Sequence, residues 1–292
     1  MSESNSISPR QRMRALLAAE ACVAPASVHD PISARIAEHL EFELGIFAGS
    51  VASLTVLGAP DLILLTLTEF AEQARRITRA STLPILVDAD HGYGNALNVM
   101  RCVQELETAG ISAMSIEDTE LPQPAGAGGK PRLVSIEEGV GKMRAALAAR
   151  RDPALVIAGR TSAPAITDGD DAARRLAAYE AAGVDALFVV GVTAVSDLEK
   201  IAAATTLPII LGSAGADVTR PEVLAANRVR ICLRGHQPFA AATQAIYDTM
   251  RLLKEGTPGS ELPGLASPAL MKQLTRHDVH QAWSREYLDG QG

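Results

Sequence analysis

Two carboxylates two residues apart, Asp88 and Asp90, follow an apolar run, Leu83-Pro84-Ile85-Leu86-Val87, and precede a glycine-rich turn, His91-Gly92-Tyr93-Gly94-Asn95. The run reads as a buried strand, the turn as its exit loop, and the residues beyond as a helix. Side chains two apart in a strand share a face, so both carboxylates can aim at one spot. Held together there they repel each other unless a cation lies between them. A hard cation such as Mg²⁺, which takes oxygen ligands and keeps several waters, suits such a pair. An isolated D-x-D is more simply a helix cap plus a solvated acid, so the surrounding groups must decide.

Those groups fall at the ends of other apolar runs: Ser27 and Asp30, Gly49-Ser50, Glu117 and Asp118, Arg160, Ser213 and His236, with Asp61 in the loop after the second run. Acids at several strand ends, opposed by Arg160 and His236, describe a site for a metal and a small multivalent anion. Each residue also has a plainer reading. Ser50 after Gly49 is a turn residue, or its backbone N–H groups hold a carboxylate. Arg160 either pairs with Glu117 or Asp118 or contacts the substrate. His236 caps the helix that begins near Pro238. Glu117 is expected to hold metal-bound water rather than the metal itself.

The elements that must position these residues recur along the chain. Eight short apolar runs, residues 22–30, 43–50, 83–90, 112–118, 154–161, 186–191, 208–213 and 228–236, alternate with helical patterns. The helical stretches are 11–20, 68–81, 96–109, 136–150, 170–182, 196–204, 221–226 and 239–254. Asn95 and Ser135 stand at N-caps, with Glu138 completing a capping-box pattern, and Gly110 and Gly183 stand at stops. Thr108–Ala113 resembles Ala181–Ala186, and Leu83–Leu86 resembles Leu207–Ile210; both repeats mark entry into a strand. Eight strand–helix units imply an α/β fold, a closed (β/α)8 TIM-type barrel over residues 1–254, with its active site at the strand C-termini. An open doubly wound sheet is the alternative, but no G-x-G-x-x-G turn follows the first strand. Residues 1–9 read as a frayed polar lead. Residues 255–268 read as a linker, and 269–288 as a helix whose Leu270, Leu274, Val279, Trp283 and Tyr287 need cover. That tail either folds back or docks on a neighbouring subunit.

With 292 residues, 47% hydrophobic but only 3% aromatic, the chain must build a large aliphatic core. A net charge of −7 without a basic stripe argues against nucleic acid. Cys22, Cys102 and Cys232 show no metal or disulfide spacing and read as reduced thiols of a cytoplasmic protein. No stretch reads as a signal peptide or a membrane span.

Gly49-Ser50, Asp88-Ala89-Asp90 with Gly92-Tyr93-Gly94-Asn95, Ile116-Glu117-Asp118 and Gly159-Arg160-Thr161 together resemble the isocitrate lyase/phosphoenolpyruvate mutase superfamily, over roughly residues 10 to 288. Val51–Leu54, Ala59-Pro60-Asp61, the residues around Asp88 and Glu137–Lys142 look most like its oxaloacetate decarboxylase branch. The resemblance implies Mg²⁺ (or Mn²⁺), an α-keto dicarboxylate substrate, and a homotetramer of dimers whose last helix is exchanged between subunits. It implies that Asp88 ligates the metal, that Asp90 and Glu117 act through water, and that Ser50, with Gly49 and Asp61 nearby, binds substrate along with Arg160 and His236. The expected reaction is decarboxylation of oxaloacetate to pyruvate and CO₂ through a metal-stabilised enolate, with Asp88, Arg160 and His236 as the catalytic set. Departures are also present. The loop Leu121–Lys130 lacks the Cys and His of the family lyases and the Asn of the mutases. Ser162 stands where Asn or Asp is usual, and Gly212-Ser213-Ala214-Gly215 where the decarboxylase branch has a Tyr. These leave cleavage of a C–C or C–P bond in a related 2-oxo or 2-hydroxy acid as the alternative, and a non-catalytic dicarboxylate-binding barrel as a third reading.

Overall fold

Each of the eight apolar runs contributes a strand, shorter than the run itself: β1 Ala26–Ser27, β2 Gly45–Phe47, β3 Ile85–Asp88, β4 Ala113–Glu117, β5 Val156–Thr161, β6 Ala186–Val190, β7 Ile209–Gly212 and β8 Val229–Cys232. All pair in parallel, in chain order. The computed structural model describes residues 7–126 and 128–288, so most of the expected polar lead lies outside the described residues. The sheet curls until Val23, just ahead of β1, bridges Ile231 of β8; its N–H donates to Arg230 O and its carbonyl accepts from Cys232 N–H, both at 2.9 Å.

Thirteen α-helices surround or follow the strands among the described residues: α1 Pro9–Ala18, α2 Pro31–His39, α3 Gly49–Ala52, α4 Leu67–Thr78, α5 Ala96–Thr108, α6 Ile136–Ala149, α7 Ala163–Ile166, α8 Gly169–Ala182, α9 Val195–Ala204, α10 Pro221–Ala226, α11 Gln237–Lys254, α12 Pro268–Leu274 and α13 His277–Tyr287. Their starts follow local chemistry. Thr66 and Glu69 form a capping box at α4, as Asn95 and Asn98 do at α5. Ser135 accepts from Glu138 N–H at α6, without the expected return bond.

The period-2 alternation of strand side chains divides the core into two layers. Outward residues such as Val87, Met114, Ile157 and Leu187 pack under the helices. Inward residues such as Ile46, Leu86, Ala158, Phe188, Ile210 and Ile231 fill the barrel, which Met13 and Leu17 of α1 plug from the N-terminal end. At the other end the inward positions turn polar, and there the site lies.

Two expected elements differ. Gly49-Ser50 does not end β2 but opens α3, which runs on as a π-helical turn, Ser53–Leu57. The single tail helix is two, α12 and α13, broken at Arg276 with φ +52°. α12 packs on α2 of its own chain: Leu274 is buried, its carbonyl accepts from Arg35, and Arg276 pairs with Glu38 at 2.7 Å. By contrast α11, the helix that follows β8, buries none of its residues.

Candidate active site

The strand register sets the site's geometry. Asp88 lies beside Ser115, Glu117 beside Arg160, and Arg160 beside Phe188. The strands β3 to β6 present these residues inward, and Asp88, Glu117, Arg160 and Phe188 line a cavity of about 830 Å³ shared with Ser50, Asp61, Asp90, Ser162, Gly212, Ser213 and His236. The sequence-predicted residues therefore converge, with two exceptions. Asp30 caps α2, accepting from Ser33 N–H at 2.7 Å. Asp118, one residue beyond Glu117, points out of the barrel; it accepts from Tyr179 Oη at 2.6 Å and Arg175 at 3.2 Å.

Asp90 reaches the cavity by a route the strand argument did not foresee. It lies beyond β3 in a left-handed conformation, φ +47°, and the turn swings its carboxylate back beside Asp88. The carboxylate sits directly against Gly49, where an added Cβ would come within 2.8 Å of both oxygens. The glycine is required there for room, because any side chain would occupy the space the acid uses.

Arg160 is the central cation. Its guanidinium pairs with Asp88 and, at 3.3 Å, with Glu117, so the structural partner is Glu117 rather than Asp118, with Asp88 in addition. Its Cζ lies over the Phe188 ring, 5.4 Å from the centroid. Burial disfavours the charged guanidinium, but Asp88 and Glu117 outweigh it and hold the proton more firmly than usual. Around this one cation stand four carboxylates. Burial, then Asp88, Glu117 and Asp61, push Asp90 well above the ordinary carboxylate range. Burial also raises Glu117 against the opposing pull of Arg160, and Asp61 is raised by partial burial and by Asp88. The site holds more acidic groups than its own cation can pair with.

Two supporting groups escaped sequence reasoning, while a third, Ser27, was already among the strand-end candidates. Ser115 Oγ donates to Asp88 at 3.2 Å and Thr119 Oγ1 to Glu117 at 2.9 Å. Ser115 shares the Glu117 face of β4 and would have been found by the same-face rule, whereas Thr119 lies two residues beyond the strand's end. Ser27 Oγ lies 2.8 Å from His236 Nδ1 and sets the ring's orientation, leaving Nε2 for other contacts. Burial keeps His236 below its ordinary pKa, opposed by Asp88.

The donor set fits a divalent cation such as Mg²⁺. It consists of carboxylate oxygens, it has more acidic groups than cations, and the missing Cβ of Gly49 leaves Asp90 room beside Asp88. Among the described residues no three His, Cys, Asp or Glu side chains cluster closely enough to bind an ion together. None of the three cysteines lines the cavity.

A sequence profile described as phosphoenolpyruvate phosphomutase matches residues 13–254. The chain belongs to the phosphoenolpyruvate phosphomutase family. Within it, the chain is 59% identical over 281 residues to a protein of Bradyrhizobium diazoefficiens named oxaloacetate decarboxylase, covering 96% of this chain and 97% of the relative. The crystal structure of a phosphoenolpyruvate phosphomutase from Streptomyces platensis subsp. rosaceus superposes with a TM-score of 0.84 at 29% identity, over 96% of this chain and 99% of that one. A phosphonopyruvate hydrolase solved with oxalate and Mg²⁺ superposes with a TM-score of 0.82 at 28% identity, again over 96% and 99%. The barrel is thus the fold of this family.

Proposed function

We propose that the chain is a divalent-metal-dependent carbon–carbon lyase that decarboxylates oxaloacetate to pyruvate and CO₂. The observation that carries this reading is the excess of carboxylates over cations at the C-terminal end of the barrel, where a chelating 2-oxo acid and a metal would sit together. The 59% identity to a protein named oxaloacetate decarboxylase supports the choice of substrate. Asp88 would hold the divalent ion directly and Asp90 and Glu117 would hold it through water, and the ion would supply positive charge to the keto end of the substrate.

The protein groups do the rest. Ser50 and the first N–H groups of α3, which no side chain caps, bind the C1 carboxylate. Arg160 leaves part of its pairing with Asp88 and Glu117 to orient the substrate. A tight grip on the departing carboxylate would oppose loss of CO₂, so its contact is an orienting one. His236, fixed by Ser27, contacts the C4 end. The C3–C4 bond breaks, its electron pair forms the enolate of pyruvate, and C3 then takes a proton from water. This needs no thiol, in keeping with a cavity that has none. Ile46, Leu62, Phe188 and Leu233 give the cavity apolar walls, which favours cleavage of a larger 2-oxo or 2-hydroxy acid as the second reading.

The assembly reading follows from α11. It exposes Ile246, Tyr247, Met250 and Leu253, while a cavity of about 790 Å³ beside β8 is lined by Cys22, Val23, Leu224 and Cys232. Exchange of this helix between two subunits, within a tetramer, would cover both. Part of the tail stays on its own barrel through α12, and α13, with Trp283 and Tyr287 exposed, is free to dock on a neighbour. A monomer by light scattering would refute this. Among the described residues no helix is long and apolar enough to cross a membrane, and a cytoplasmic location belongs to the same proposal.

Pyruvate formation from oxaloacetate, with and without Mg²⁺ and corrected for the metal's own uncatalysed reaction, tests the function. Fast, Mg²⁺-dependent, oxalate-inhibited turnover that Asp88→Ala abolishes is expected. Weak turnover with tight oxalate binding would move the assignment to larger 2-oxo and 2-hydroxy acids, and full activity in Asp88→Ala would overturn it.

A further inference from the structure

A buried lysine beneath the acidic cluster has no part in the chemistry described so far. Lys142 lies on the core face of α6, in line with Gly139, Met143, Ala146 and Ala149, and is only 3% exposed. A methionine or leucine would fill that position without the cost of burying an ammonium. Burial draws the lysine below its ordinary pKa, and the carboxylates of Glu138, Asp118 and Glu117 oppose that shift. Among the described residues its Nζ makes one hydrogen bond, 3.0 Å to the carbonyl of His91.

That carbonyl belongs to the turn that carries the acids. From Asp90 to Gly94 the backbone is left-handed at four residues: Asp90 at +47°, Gly92 at +76°, Tyr93 at +63° and Gly94 at +146°. Asp90 and Tyr93 are not glycines, so this conformation persists only where its surroundings enforce it. Three successive carbonyls are held in turn. Ala89 O accepts from Gly92 N–H at 2.9 Å, Asp90 O from Glu117 N–H at 2.8 Å, and His91 O from Lys142. Only the third tie comes from a side chain.

We propose that Lys142 is a positioning residue for the acidic cluster: by holding the His91 carbonyl it locks the turn that sets Asp90 beside Asp88, and so raises the site's affinity for a divalent cation. The inference rests on reading the cluster as a cation site. It has a distinctive sign. The ammonium's charge by itself repels an incoming cation, so removing it should tighten metal binding if charge were its whole effect. A positioning role predicts the opposite.

The test is calorimetric titration of Mg²⁺ into the apo full-length protein, without substrate, for the wild type, Lys142→Met, Lys142→Gln and Lys142→Arg, with a thermal melt of each. The Met variant keeps the volume and loses the donor. The expected result is an affinity about 10- to 100-fold weaker, the range found when groups supporting metal ligands are removed. Lys142→Gln, too short to reach the carbonyl, should match it and serves if the Met variant does not fold. Lys142→Arg keeps a cationic donor and should recover most of the affinity. Unchanged affinity in a folded Met or Gln variant overturns the proposal even if Tm falls, because a purely structural lysine would give that result. Tighter binding also overturns it. If the wild type binds no Mg²⁺, with or without oxalate, the reading of the cluster fails instead.

Discussion

Gly49→Ala isolates the acid cluster from the rest of the fold. The added Cβ would stand 2.7 Å and 2.8 Å from the two carboxylate oxygens of Asp90 and 3.0 Å from its Cγ. Comfortable contact needs about 3.5 Å, so the carboxylate must retreat by about 0.7 Å. The side chain is what gives way, because the Asp90 carbonyl is tied to Glu117 N–H. A retreat of this size exceeds the tolerance of about 0.5 Å that a working site allows. The structure therefore predicts Mg²⁺ affinity about 10- to 100-fold weaker, or about 1.4–2.7 kcal/mol, with kcat/KM falling in step. Stability should change little. The residue sits in the first turn of α3 without a left-handed φ, and alanine is the better helix former by about 1 kcal/mol. Calorimetry with Mg²⁺, oxaloacetate turnover and a denaturant melt together decide. A folded variant with wild-type Mg²⁺ affinity and turnover would refute the role given to Asp90 and to the space at Gly49.

Arg160→Lys keeps one charge but loses the fork that reaches Asp88 and Glu117 together and the flat face on Phe188; kcat/KM should drop about 10- to 100-fold, the worth of one charge-assisted hydrogen bond, and unchanged kinetics would refute the orienting role. Asp118→Asn weakens the buried acceptor of Tyr179 and Arg175 and should cost about 1–3 kcal/mol in urea unfolding while leaving Mg²⁺ affinity intact; a loss of affinity without a loss of stability would mean Asp118 belongs to the site after all. His236 is held below its ordinary pKa, so between pH 6.5 and its lower folded value the unfolded chain takes up the proton first. Its contribution to stability is thus complete above that window and is lost as pH falls through it. His236→Gln should flatten this part of the acid limb in stability measured against pH, and an unaltered limb would contradict the assignment.

Much of the molecule follows from local chemistry. Aliphatic runs spaced by capped helices point to a parallel sheet with helical crossovers, because the strands are largely apolar and each connection is long enough to return to the same end; the count of eight such units favours the closed barrel over the open sheet. The caps at Thr66 and Asn95 and the stop at Gly183 are local hydrogen-bonding and steric facts, and they appear where the residue types place them. The helix periodicity over 269–288 was legible, but the break at Arg276 was not, since nothing in its side chain demands a left-handed backbone.

The same division runs through the site. The sequence by itself determined that acids, one arginine and one histidine gather at strand ends, and with them the character of a metal and anion site. It could not determine parity: Glu117 and Asp118 are chemically alike, and only the direction of β4 sends one to Arg160 and the other to Arg175. Nor could it show that Asp90 arrives through a left-handed turn rather than along a strand, or that Gly49 makes its space. Residues as distant as Ser27 and His236, or His91 and Lys142, meet only when the barrel closes and α6 packs against it. Contacts across such separations depend on the relative position of whole elements, and local residue preferences carry no information about that.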